Sequence, residues 1–215
     1  MEKSLKGRAY DLVKQRIVSG VYPPGHMLNE KEIIGELGIS RTPFRDAVNV
    51  LAEEGLVNIV PRRGMYVAEI TVKDIVDMYG IRDMLEPFAL GLAMKNKLPK
   101  EMLLRLQKQV EIAGKNYERV IQDDETLHAL IIRYANNAYL QRMLESLYLH
   151  GRRVRIVSGG DDGDTNDINL EHIMMIESML EGDIGQAQSQ MKQHIANAKR
   201  RAFSRILETG ELSIR

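Results

Sequence analysis

The 215-residue chain has no cysteine, no tryptophan and only three phenylalanines, and it carries no excess of either charge, with 30 lysines and arginines against 30 aspartates and glutamates. Without cysteine there is no disulfide framework and no thiolate metal site, so any metal must be held by histidine and carboxylate. No apolar run approaches the roughly 20 residues that cross a bilayer. The opening residues 1–13 also lack the apolar centre of a signal peptide. The expectation is a cytoplasmic protein with no membrane partner. The charge balance argues against an undifferentiated nucleic-acid coat. Residues 1–70 are no exception, with 10 basic and 9 acidic side chains. If DNA is bound, positive charge has to be concentrated on one face.

What is present is enough apolar residue, 44% of the chain, to build one large core or two modest ones. Leu5, Ala9, Leu12, Val13 and Ile17 recur at helical spacing, and Gly20 with Pro23-Pro24-Gly25 ends that helix. Asn29 followed by Glu32 reads as a capping box for a second helix whose inner stripe is Ile33, Ile34 and Leu37. Gly38-Ile39 turns the chain. Ser40 is placed to cap a third helix, with Phe44, Val48 and Leu51 inward and Gly55 closing it. Residues 56–60 and 65–67 then read as two strands around the basic tip Pro61-Arg62-Arg63-Gly64. Two short helices joined by a tight turn and followed by a hairpin spell a winged helix-turn-helix over residues 1–70. In that arrangement the third helix enters the major groove, and Ser40, Arg41, Thr42, Pro43 and Arg45 sit at its leading end.

The pattern Gly20-Val21-Tyr22-Pro23-Pro24-Gly25, Ser40-Arg41-Thr42-Pro43-Phe44-Arg45-Asp46, Leu51-Ala52-Glu53-Glu54-Gly55-Leu56-Val57 and Arg63-Gly64 resembles the GntR family of bacterial regulators over residues 8–68. The resemblance implies that Arg41 and Arg45 contact guanines or phosphates, that Ser40 and Thr42 contact backbone, and that Arg63-Gly64 enters the minor groove, with Arg62 beside them on the wing. Lys31 stands where the family has a DNA-contacting arginine. Lysine keeps the charge but not the planar fork, which suits a phosphate.

From Thr71 to the end the periodicity is helical, with no alternating run. Thr71 and Asp74 suggest a capping box, and Pro87 predicts a kink or break in the first helix of this part. Further helices are expected near residues 99–120, 123–135, 138–157, 167–181 and 184–207, the last opening on Asp183 and Gln186 as a second box. The expected class is therefore mainly α, a winged helix-turn-helix followed by an all-helical bundle over residues 71–215. The twelve methionines read as packing.

Asp124 and His128 are four apart and share a helix face, and His172 and His194 lie on two later helices. Four such ligands would make an open N3O site for zinc, nickel, manganese or iron. On spacing alone, scattered histidines are more often ordinary core and surface residues. His128, His150, His172 and His194 are spaced by 22, but their flanks do not repeat, so this is coincidence rather than a repeat. His150, near Arg152, Arg153 and Arg155, reads either as a pocket residue or as a cation at a helix C-terminus. The stretch from Asp161 to Asp167 alternates like a calcium loop. It fails at Asp167, where glycine is needed, and at Ile173, where the bidentate Glu belongs, and reads as an interhelical loop.

Arg82-Asp83-Met84-Leu85-Glu86, Asp124-Glu125-Thr126-Leu127-His128 with Asn137, Glu171-His172, Gly182-Asp183 and Met191-Lys192-Gln193-His194 resemble the motifs of the FCD ligand-binding domain of the FadR subfamily, over about residues 72–205. By that resemblance Asp124, His128, His172 and His194 bind a divalent metal that receives a small carboxylate effector. Arg82 clamps the effector, and Asn137 and His150 are further effector-site candidates. Leu127 replaces a usual Phe, a departure in pocket shape. The resemblance further implies a homodimer on a palindromic double-stranded operator, acting as a repressor rather than an enzyme. The alternatives are a metal-dependent hydrolase, for which no general base or nucleophile motif stands out, and a regulator in which the metal is structural or is itself the signal.

Overall fold

The computed structural model describes residues 3–158 and 164–209, in two compact units. The first holds the described residues up to Val72 with 152–157, the second most of the remainder.

In the first unit α1 (Leu5–Val18) is capped by Ser4 and buries Ala9, Val13 and Ile17, the inner stripe of its heptad-like spacing. The helix α2 (Glu30–Leu37) starts at Asn29, whose side chain accepts from the Glu32 N–H, and stops at Gly38, whose left-handed φ of 63° suits glycine. Phe44, Ala47, Val48 and Leu51 of α3 (Arg41–Glu53) are buried, and α3 packs on both α1 and α2. Ser40 occupies the N-cap position of α3 but makes no side-chain capping bond. An N-cap oxygen accepts from the second or third helical residue, and the third, Pro43, has no N–H, which leaves Thr42 as its one usual partner.

The strands β1 (Val57–Val60) and β2 (Gly64–Val67) pair antiparallel from Val57↔Val67 to Val60↔Gly64. The tight turn between them carries Arg62 at φ 63° and Gly64 at φ 133°. Gly64, expected in the tip, is the first residue of β2.

The second unit is formed by α4 (Val72–Lys95), α5 (Lys100–Ala113), α6 (Tyr117–Ala135), α7 (Ala138–Ser158), α8 (Thr165–Glu181) and α9 (Ile184–Thr209). The break between α5 and α6 is earlier than the sequence suggests. Gly114 adopts φ 57°, ψ −128° at the end of α5, and Asn116 caps α6 by accepting from the Arg119 N–H. Pro87 does not end α4, which runs on through it. Gln188 of α9 donates to the Pro87 carbonyl at 2.8 Å. A Cβ on Gly91 would meet that amide at 2.6 Å, so glycine admits Gln188 to the helix surface. Asn166 and Asp167 belong to α8 rather than to a loop, while Asp161 and Asp162 lie outside the described residues. Asp183 caps α9 through the Gln186 N–H, as expected.

Candidate metal centre and nucleic-acid interface

Helix α6 carries Asp124 and His128 one turn apart on its buried face, and α8 and α9 each contribute one buried histidine, His172 and His194. The α8–α9 turn at Gly182, with φ 84°, allows those two helices to pack along their length. The four side chains converge, with one ligand atom from each lying within 4.8 Å of all the others. Asp124 Oδ1 is 3.4 Å from His128 Nε2, 3.2 Å from His172 Nε2 and 3.3 Å from His194 Nε2. His128 Nε2 and His194 Nε2 are 3.3 Å apart. Ligands about 2.0–2.2 Å from a common ion stand roughly 3–3.5 Å from each other in tetrahedral or octahedral geometry. The donor set therefore fits a borderline divalent metal with positions to spare. Three imidazole nitrogens turned on one carboxylate oxygen make a poor hydrogen-bond network, since one oxygen cannot satisfy three donors aligned with its lone pairs.

Behind the donors stands a layer that sequence reasoning passed over. His194 Nδ1 is 2.8 Å from Glu171 Oε2. Arg201 reaches both Glu171 oxygens, at 2.9 and 3.1 Å, and Asn197 donates to Oε1 at 2.7 Å. His128 Nδ1 lies 2.8 Å from Glu86 Oε2 and 3.1 Å from the Tyr148 hydroxyl. Glu86 Oε2 has no well-aligned hydrogen bond of its own, and its other oxygen accepts from Arg82 Nε. His172 Nδ1 is buried with no partner. The legible trace of this layer is the spacing of His194, Asn197 and Arg201, which puts all three on one face of α9.

The electrostatics follow from burial opposed by close charges. Burial disfavours ionised Asp124, but the charge and hydrogen bond of His128 beside it, with a further hydrogen bond from His172, outweigh this and hold its carboxyl well below the usual range. Glu86 and Glu171 are likewise held at about 2, against burial, chiefly by Arg82 and His128 for the first and by His194 and Arg201 for the second. Burial alone would neutralise His128, yet Glu86 and Asp124 raise it to about 9. His172 is pushed down, first by burial and then by the neighbouring histidines, with Asp124 opposing. Burial and Glu86 push the Tyr148 hydroxyl well up.

Of the effector candidates, Arg82 joins this layer. Its guanidinium is buried, ion-paired with Glu86 and stacked on the rings of Tyr79 and Tyr148 at 5.2 and 5.4 Å. Asn137 does not join it. It is exposed and its Oδ1 accepts from the N–H groups of Tyr139 and Leu140, the start of α7. Its carbonyl oxygen is thereby committed to capping α7. His150 is half-buried on α7 and is not one of the clustered donors.

In the first unit Lys31, Ser40, Arg41, Thr42, Arg45, Arg62 and Arg63 are exposed, with Pro43 and Gly64 half-buried. Glu30, the first residue of α2, places Oε1 3.4 Å from Arg45 Nε and 3.9 Å from Arg41 Nε. This acidic neighbour of both recognition-helix arginines carries no sequence signal, because the contact spans two helices.

Comparison with known families matches residues 5–67 to bacterial regulatory proteins of the gntR family and residues 77–197 to the FCD domain. The gluconate operon transcriptional repressor of Bacillus subtilis is 32% identical, the match covering 72% of this chain and 67% of that one. The solved structure of McbR/YncC from E. coli superposes with a TM-score of 0.77 at 19% identity, over 98% of this chain and 100% of that one. The Zn2+-bound FCD domain of the regulator TM0439 superposes with a TM-score of 0.56 at 24% identity, over 66% of this chain and 99% of that one. The chain belongs to the gntR family of bacterial regulatory proteins, as a transcriptional regulator that joins a DNA-binding winged helix-turn-helix to an FCD domain.

Proposed function

We propose that this regulator is a metal-dependent metabolite sensor of the FadR subfamily that represses transcription until a small carboxylate binds beside the ion. Asp124, His128, His172 and His194 would hold a divalent metal, and the ion would supply Lewis-acid affinity for a carboxylate oxygen. The carrying observation is the meeting in a buried core of one carboxylate oxygen with three Nε2 atoms, each 3.2–3.4 Å from it and all four ligand groups within 4.8 Å of one another. Support comes from the relative whose name is a gluconate operon repressor and from the structural neighbour that is Zn2+-bound. Arg82 would meet the far end of the acid; Glu86 already neutralises it, so an effector would have to share or displace that ion pair.

DNA recognition is assigned to residues 1–70 and sensing to 71–215. Arg41 and Arg45 would read bases or phosphates, Thr42 and the uncapped Ser40 hydroxyl would bind backbone, Lys31 would meet a phosphate, and Arg62, Arg63 and Gly64 would form the wing contact. A palindromic operator calls for a homodimer, and a cytoplasmic location follows from the target. No described helix is long and apolar enough to cross a membrane.

The test is to purify the full chain, measure its metal content, select its duplex from a random DNA library, and titrate small carboxylic and sugar acids against the complex. Metal at about one per chain, and release of the selected duplex by an acid only while metal is present, support the reading. A protein that binds its duplex equally with and without chelator, and answers to no acid, refutes the sensor.

A further inference from the structure

Two of the three histidines that meet at Asp124 are backed by a carboxylate that is itself held by an arginine. Arg82, Glu86 and His128 form one series, and Arg201, Glu171 and His194 the other. Only the second is well aligned throughout. Glu171 Oε2 receives His194 Nδ1 and an Arg201 Nη2 donor, and Oε1 receives Asn197 Nδ2 and Arg201 Nη1, at 2.7–3.1 Å. A carboxylate can only accept. All four positions around Glu171 are therefore filled by donors, and His194 must carry its hydrogen on Nδ1. Its Nε2 is left as a lone pair, and that is the atom 3.3 Å from Asp124 Oδ1. Because α9 supplies His194, Asn197 and Arg201, Glu171 ties the donor nitrogen to the α8–α9 packing as well as choosing its tautomer.

Resting on the metal reading above, we propose that Glu171 is a positioning residue of the metal centre, fixing His194 as the Nδ1–H tautomer with Nε2 aimed at the ion. It is not one of the clustered donors, its oxygens being taken up by His194 Nδ1, Asn197 and Arg201. Outer carboxylates that orient a ligating histidine change metal affinity by about 10- to 100-fold. Glu171 is the better place to measure this than Glu86, because Glu86 also pairs with Arg82, the residue assigned to the effector.

Two variants of the full chain test it. Glu171→Met keeps much of the length and bulk but offers no oxygen acceptor, so nothing holds the hydrogen on His194 Nδ1. Glu171→Asp keeps the charge for Arg201 but is one methylene too short to hold both partners. Zn2+ affinity is measured by competition with a chromophoric chelator, and folding of the metal-free variants by circular dichroism. The imidazole tautomers are read from long-range 1H–15N spectra of the metal-free, histidine-labelled protein, where no ion imposes them. Both variants are expected to bind Zn2+ about 10- to 100-fold more weakly and to lose the slowly exchanging His194 Nδ1–H resonance. A residue that only braced α8 to α9 would lower the melting temperature and leave that resonance in place. A folded variant that keeps the resonance, or holds Zn2+ within about threefold of wild type, overturns the assignment. If wild type takes up no Zn2+, the metal reading falls and this inference with it. If wild type binds and both variants bind as tightly, only the role of Glu171 falls.

Discussion

At Arg45 the exposed guanidinium stands on α3 with Glu30 as its neighbour, so its charge is shared with α2 before any DNA arrives. Arg45→Ala should weaken binding to the selected duplex by about 1–3 kcal/mol more than binding to a scrambled one, as fits a base-reading contact. Equal losses on both, in anisotropy titrations at fixed salt, would make it a phosphate contact. The buried titratable groups lead to a second expectation for the metal-free protein. His128, raised to about 9, contributes stability that is fully present below its unfolded value of about 6.5 and is lost as pH climbs through 9. His172 is shifted the other way, so its contribution is present above about 6.5 and is lost as pH falls. Glu86 and Glu171 add a further loss as pH drops from about 4.5 toward 2. Urea unfolding in chelator should thus show greatest stability near pH 6.5. A steady rise from pH 6.5 to 9 would contradict the charge arrangement at His128.

At the scale of the element, boundaries were decided by single residues whose chemistry is easy to misweigh. Apolar spacing continues through residues 99–120, but Gly114 at positive φ and the Asn116 cap divide that stretch into α5 and α6. Gly114→Ala should cost about 1–3 kcal/mol, because φ 57° with ψ −128° is a region that side chains resist. Denaturant midpoints of the metal-free protein check this, and a change below a few tenths of a kcal/mol would mean the turn relaxes. Pro87 is the opposite case. A proline inside a helix reads as a stop, yet α4 runs on through it although Pro87 has no N–H for the Asp83 carbonyl one turn back. At α3, Pro43 takes away one of the two N–H groups that Ser40 could cap, and the Ser40 side chain makes no capping bond.

For the whole molecule, an effector bound in the helical unit would act on DNA through a shift in population between DNA-competent and DNA-free forms, on the function proposed above. His172→Ala should therefore leave the chain able to bind its selected duplex but without metal and without release by any acid, as read by metal analysis and anisotropy together. Full metal content in that variant would refute the donor set. The winged helix-turn-helix was legible in the sequence almost residue by residue, since its helices are set by caps, glycines and short-range stripes. Asp124 and His128 were legible as a pair for the same reason, lying one turn apart. What no local pattern contains is that His172 and His194 arrive at the same oxygen, or that Glu171, Arg201 and Asn197 stand behind one of them. Those contacts join residues 23 to 66 positions apart. They exist only because apolar stripes on α6, α8 and α9 bury against one another and carry the polar residues between them into one desolvated place. The sequence by itself determined the helices, the DNA-reading head and the kinds of donor available. Tertiary packing alone decided which donors meet and which carboxylates stand behind them.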